Sequence, residues 1–136
     1  MAKSWLMSAG EMKQELRQFA KSYFGPDAHI FNRPHGAGYW LYPVEYNAKR
    51  GWLAFEYDDD SEIDPDEEGI HDAIVKAWKK GEPLPEGYFA LTPQVVEQVF
   101  QNALRRYGEQ WLEGDVDLPS TENALQWTIL REIRYG

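Results

Sequence analysis

The residues with the most conspicuous chemistry are eight carboxylates in segment 58–68, which contains no basic residue. Carboxylates at this density suit either a calcium ion or a basic partner. From Asp64 onward, acids occupy positions 1, 3, 5 and 9 of an EF-hand-like loop, with Gly69 at position 6. Position 12 needs a bidentate glutamate but is Val75. The pattern therefore predicts no metal site, and we expect no cofactor.

Catalytic motifs are missing from the sequence. The chain has no cysteine, no Gly-x-Ser-x-Gly sequence and no histidine pair at zinc-binding spacing, and His71 is interpreted as a lone surface histidine. We therefore assign no catalytic residue. A small hydrolase-type enzyme that uses carboxylates near the predicted sheet is an alternative, and its candidates are Glu45, Glu56 and His35.

The negative charge belongs to the second half of the chain. The net charge is −9. Residues 1–56 carry seven bases and five acids, whereas residues 57–136 carry seven bases and eighteen acids. A second acidic stretch, 108–122, has five acids and no base. Because this sign opposes phosphate contacts, we expect no direct binding to nucleic acid.

Part of the acidic run has a structural interpretation. Asp64 and Pro65 suit the N-cap and first position of a helix, and the acids after them suit its positive end. Capping does not account for the four acids upstream, which we predict to contact a basic protein partner or else to form a solvated linker. These four residues are Asp58, Asp59, Asp60 and Glu62.

The spacing of charge in the run also permits a further interpretation. At an extended rise of about 3.3 Å per residue, segment 58–68 approaches the charge density of one DNA strand. Partial DNA mimicry would additionally require the second acidic stretch to lie alongside the first.

Capping signals and hydrophobic periodicity predict the elements that position these residues. A helix over 9–24 follows the capping box of Ser8 and Glu11. A period of 2 predicts three antiparallel strands, with Pro43 at an edge or bulge. The strands are 28–32, 39–46 and 51–57. Three capped helices follow, with segment 81–91 as a surface connector, and they start at Asp64, Thr92 and either Ser120 or Thr121.

Aromatic residues make up 15% of the chain and cluster in this predicted meander. Because rings fall on both strand faces, they predict either a core covered by helices on both sides or an exposed Tyr and Trp platform. We favour the covered core. The cluster comprises Tyr39, Trp40, Tyr42, Tyr46, Trp52, Phe55 and Tyr57.

These observations predict one α+β domain spanning 1–136, with an N-terminal helix, a three-stranded antiparallel β-meander and three C-terminal helices packed on the sheet. No apolar run approaches the roughly 18 residues of a membrane span, so we expect a cytoplasmic protein that does not bind membranes. We predict a non-catalytic protein-interaction or inhibitory module that engages a basic partner. The alternatives are the small enzyme and an oligomeric structural or assembly protein.

Overall fold

The computed structural model describes residues 8–32, 36–57, 63–112 and 118–135. The predicted α+β class, with an N-terminal helix, a three-stranded antiparallel sheet and later helices, is confirmed. The elements in chain order are α1 (Ala9–Phe24), β1 (Leu41–Asn47), β2 (Gly51–Glu56), α2 (Asp72–Lys79), β3 (Tyr88–Leu91), α3 (Pro93–Tyr107) and α4 (Leu118–Ile129).

Two helices begin where their capping signals predict. The Ser8 hydroxyl accepts from the Glu11 backbone N–H, and the Glu11 carboxylate accepts from the Ser8 N–H, each at 3.1 Å. At the start of α3, Thr92 Oγ1 accepts from the Val95 N–H at 3.1 Å, and proline occupies the first turn. Both starts are local, since each bond joins residues three apart.

The sheet has the order β1-β2-β3, and both pairings are antiparallel. The prediction of a strand at 28–32 is wrong, because His29–Phe31 form a 3-10 turn after Ala28, whose φ of 48° reverses the chain. The third strand is β3, in the segment predicted as a connector. The register shifts between Pro43 and Glu45, which confirms the predicted irregularity on this edge strand.

Helices cover both faces of the sheet. One face contributes Leu41, Ala54 and Leu91 to the main core, which also contains buried side chains of α1, α3 and α4. On the opposite face lies Phe55, whose ring centroid is 5.2 Å from that of His71 in the segment before α2. The sheet is therefore covered on both faces, but α1 packs on the same face as α3 and α4, whereas the covered core was expected to have the first helix on one side and the last three helices on the other.

Two helix starts differ from prediction. Helix α2 begins at Asp72, because the Asp64 carboxylate accepts the Asp66 N–H at 3.0 Å within a turn and Gly69 has a φ of 82°. Helix α4 begins at Leu118, so Thr121 lies inside it and is fully buried. Ile133 lies beyond the end of α4 and is 43% exposed.

Candidate functional site

The predicted partner contacts lie at the edge of what the structure describes. Asp58, Asp59, Asp60 and Glu62 lie outside the described residues, so their prediction as contacts stays a prediction. The chain continues into residues 63–72, which we refer to as the acidic segment. Its carboxylates are all exposed, and they belong to Asp64, Asp66, Glu67, Glu68 and Asp72.

The acidic segment is anchored to the sheet through His71. This side chain is only 8% exposed, so the prediction of a surface histidine is wrong. Its Nε2 lies 3.0 Å from the Pro65 carbonyl and its Nδ1 lies 2.8 Å from the Tyr88 hydroxyl. Because a carbonyl can only accept, Nε2 carries a proton, and in the neutral ring Nδ1 accepts from the Tyr88 hydroxyl. The imidazole also stacks on Tyr42, with ring centroids 5.6 Å apart.

Few of the segment's charges are used by the fold. Asp64 serves the turn, and Asp66 interacts with the Tyr42 phenol, whose pKa is raised by burial and further by this hydrogen bond. Glu67, Glu68 and Asp72 form no salt bridge with any residue in the described ranges. The segment therefore presents uncompensated carboxylates from a fixed backbone.

The two described candidates for carboxylate catalysis do not converge. Glu45 pairs in register with Leu53, whereas Glu56 pairs with Leu41, and the bulge between these pairs places the two carboxylates on opposite sheet faces. Glu45 Oε2 lies 3.3 Å from Lys79 Nζ. Glu56 Oε2 lies 2.7 Å from Arg134 Nη1 and accepts from the Tyr135 hydroxyl. The third candidate, His35, lies outside the described residues.

Helix α4 carries a buried carboxylate that the sequence did not reveal. Glu122 was counted with the second acidic stretch, yet it is only 6% exposed. It accepts from Trp40 Nε1 at 3.2 Å and from the Tyr39 hydroxyl at 3.5 Å, and Gln126 Nε2 donates to it as well. Burial raises the pKa of the Glu122 carboxyl, and these three hydrogen bonds oppose the rise. Glu122 therefore adds no charge to a surface row.

Gln126 fastens the C-terminal residues over this buried carboxylate. Its Oε1 accepts from the backbone N–H groups of Arg134 and Tyr135, both at 2.8 Å, and its Nε2 donates to the Tyr135 carbonyl at 2.8 Å. The Tyr135 ring stacks on Trp40 with centroids 5.0 Å apart. Since every polar atom of this cluster that we name has a partner, its role is to close the core.

A groove between α3 and α4 is a surface feature that the sequence analysis missed. Its volume is about 550 Å³, and none of the described residues that line it carries a carboxylate. Arg106 extends its rim, with the guanidinium carbon 5.1 Å from the centroid of the Trp127 ring. We refer to it as the arginine groove; its lining residues are Gln98, Gln101, Asn102, Arg105, Trp127, Thr128 and Arg131.

The arginine groove was missed because its cations come from distant parts of the chain, the last turn of α3 and the residues after α4. Arg105 and Arg106 suit the carbonyl end of a helix and by themselves indicate no groove. Trp127 lies in the last turn of α4 and Arg131 lies two residues beyond its end, so helical spacing alone does not indicate that they line one groove.

The described part of the chain contains no group of three or more His, Cys, Asp or Glu residues that could hold a metal ion. Within those same ranges, none of the helices is long and apolar enough to span a bilayer. Comparisons with protein families, with curated proteins and with solved structures found no match. The function is therefore inferred from the two charged surfaces themselves.

Proposed function

We propose that this protein is a non-catalytic interaction or inhibitory module that binds a basic protein partner through the acidic segment. Asp58, Asp59, Asp60 and Glu62 would extend the contact surface towards the N-terminal side. The observation that carries the proposal is the set of exposed, unpaired carboxylates on Glu67, Glu68 and Asp72.

Anchoring of the segment favours binding over mere solubility. A solvated linker needs no fixed conformation, whereas His71 ties this segment to Tyr88 of the sheet and, through the Pro65 carbonyl, fixes the turn within the segment. Fixing a segment before it binds reduces the conformational entropy lost on association. Carboxylates held in this way would attract a cationic surface over a distance of about 8–10 Å at ordinary salt.

A basic peptide provides the direct test. We would titrate hexalysine into the full chain by isothermal calorimetry, and repeat this for a variant with Glu67→Gln, Glu68→Gln and Asp72→Asn. A matched control carries Glu82→Gln, Glu86→Gln and Glu97→Gln, which removes the same charge from exposed positions elsewhere.

The expected difference follows from the number of charges removed. At about 0.5 kcal/mol for each exposed charge pair, loss of three contacts weakens binding by about tenfold. The control should change affinity by less than about threefold, since long-range attraction alone is screened. Equal weakening in both variants would mean that hexalysine responds only to net charge, and the proposed contact surface would be wrong.

The predicted contacts upstream need their own variant. Changing Asp58, Asp59 and Asp60 to Asn together with Glu62→Gln should weaken hexalysine binding and leave the thermal midpoint nearly unchanged. If binding survives this change at all salt concentrations, these four residues are not part of the contact.

A further inference from the structure

The arginine groove has the opposite charge from the surface used in the proposed function. Arg105, Arg106 and Arg131 are exposed, and none forms a salt bridge with a residue in the described ranges. They belong to a chain with a net charge of −9. Three guanidinium groups at a groove whose described lining residues include no carboxylate therefore form a local positive site on an anionic protein.

The groove also carries the side chains that anchor protein contacts. Trp127 is 38% exposed, and Arg106 covers one side of its ring. Tryptophan and arginine dominate the energetics of protein interfaces. Gln98 and Gln101 line the same groove, and each side-chain amide can donate to and accept from the backbone of an extended peptide.

One of the arginines is positioned by bonds that cross the helix pair. The Asn102 side chain accepts from Arg105 Nη1 at 3.4 Å and donates to Thr128 Oγ1 at 2.9 Å. The Thr128 hydroxyl in turn donates to the Ala124 carbonyl at 2.7 Å. This chain of bonds joins α3 to α4 beneath the groove and fixes Asn102, which holds the Arg105 guanidinium.

A second arginine occupies a strained backbone position. Arg131 has a φ of 63°, a conformation that favours glycine at the end of a helix. The N–H groups of Leu130 and Arg131 both bond to the Gln126 carbonyl, at 2.8 and 3.0 Å, so the helix end holds Arg131 in that conformation. Strained residues concentrate at functional surfaces, and here the strained residue supplies a cation to the groove.

The dimensions of the groove favour a short peptide over a single anion. From Gln98 to Arg105 the helix rises about 10 Å, at 1.5 Å per residue, which equals about three residues of an extended chain. Each of the three guanidinium groups can donate two hydrogen bonds to the two oxygens of a carboxylate on such a segment. We propose that the arginine groove binds an acidic peptide segment, rich in Asp and Glu, of a protein partner.

The test uses the full chain and hexaglutamate as the probe. Binding is followed by isothermal calorimetry and by tryptophan fluorescence, since Trp127 is the most exposed tryptophan in the described ranges. A variant with Arg105→Gln and Arg131→Gln should bind hexaglutamate at least about tenfold more weakly, because each substitution removes a charge-assisted contact. The matched control carries Lys13→Gln and Arg17→Gln at exposed positions of α1, which removes the same two charges and should change binding less than about twofold.

Several outcomes separate this proposal from others. Failure of wild-type protein to bind hexaglutamate, or equal weakening by the control with Lys13→Gln and Arg17→Gln, would overturn it. Inorganic phosphate that competes at equimolar concentration would also overturn it, because the site would then be one for a small anion. Hexalysine binding should be unchanged in the groove variant, so failure of this site is distinguishable from failure of the proposed function. Circular dichroism confirms that each variant is folded.

Discussion

Replacing Arg131 with glycine should stabilise the protein while weakening the arginine groove. The residue adopts a φ of 63° immediately after the last hydrogen-bonded turn of α4, and its side chain is exposed. Glycine has no Cβ and therefore adopts this conformation without steric cost. The same substitution deletes one of the three cations of the groove.

The size of the stabilisation follows from two opposing terms. A left-handed conformation costs a residue with a Cβ about 1–2 kcal/mol, and the greater freedom of glycine in the unfolded chain returns about 0.5–1 kcal/mol of that. The net gain is about 0.5–1 kcal/mol. At about 2.1 cal/mol/K for each of the 136 residues, the unfolding entropy converts this gain to a rise of about 2–3 °C in Tm.

The assay is urea and thermal unfolding of the wild type, Arg131→Gly and Arg131→Ala. The alanine variant is the matched control, because it removes the same charge but keeps the Cβ that causes the strain. Only the glycine variant should gain stability, whereas both should lose affinity for hexaglutamate. If glycine proves no more stable than alanine, the backbone strain at this position has been misjudged.

Three further substitutions test the packing around the site. Gln126→Leu leaves the backbone N–H groups of Arg134 and Tyr135 without their acceptor and should lower the free energy of unfolding in urea by about 2–4 kcal/mol. The control Gln14→Leu, at an exposed position, should remain within about 0.5 kcal/mol of wild type. Glu122→Gln should flatten the pH dependence of stability. Because the pKa of Glu122 is raised in the folded state, wild-type stability should fall as pH rises from the ordinary pKa of 4.5 to the folded pKa. Across that window the wild type should therefore lose stability relative to the variant. If the wild type instead gained stability relative to the variant as pH rises, the argument from burial of Glu122 would be wrong. Gly51→Ala should cost more than Gly108→Ala, because a Cβ at position 51 would lie 2.1 Å from the Leu91 carbonyl oxygen, whereas a Cβ at position 108 meets open space. The backbone conformation of Gly108, with φ 76° and ψ −177°, is essentially restricted to glycine and alone should cost about 1–3 kcal/mol. Equal costs would show that Gly51 does not lie as close to the Leu91 carbonyl oxygen as described.

The sequence predicted the elements whose signals are local. The starts of α1 and α3 depend on bonds between residues three apart, so Ser8 and Thr92 could be recognised without knowledge of the fold. Local signals also misled. Around Ile30 the alternation of apolar and polar residues resembles a strand, but it arises because a 3-10 turn buries this one side chain completely.

The remaining features depend on contacts between distant parts of the chain. Strand β3 has only four residues and is defined by its pairing with β2, more than thirty positions earlier. Glu122 is buried because it meets Trp40, 82 residues away, and no pattern around it indicates such a partner. The acidic run was visible in the sequence, but its attachment through His71 and Tyr88 was not.

Dependence on distant contacts also explains why the sequence revealed the negative charge but not the arginine groove. Composition identified a surplus of carboxylates, and the carboxylates of the acidic segment are exposed and form no salt bridge with the rest of the described chain. Composition could not identify a positive site, because an excess of acids hides three arginines that only the packing of α3 on α4 brings to one groove.

Chemical-shift mapping tests the proposed function most directly. Hexalysine would be titrated into ¹⁵N-labelled full-length protein at low salt, and amide shifts would be followed for every assigned residue. We expect the largest shifts in residues 63–72 and in Asp58, Asp59, Asp60 and Glu62, with loss of those shifts at high salt. Shifts spread evenly over the exposed acids of the molecule, Glu82, Glu86 and Glu97 included, would contradict the proposal that the acidic segment is the binding surface.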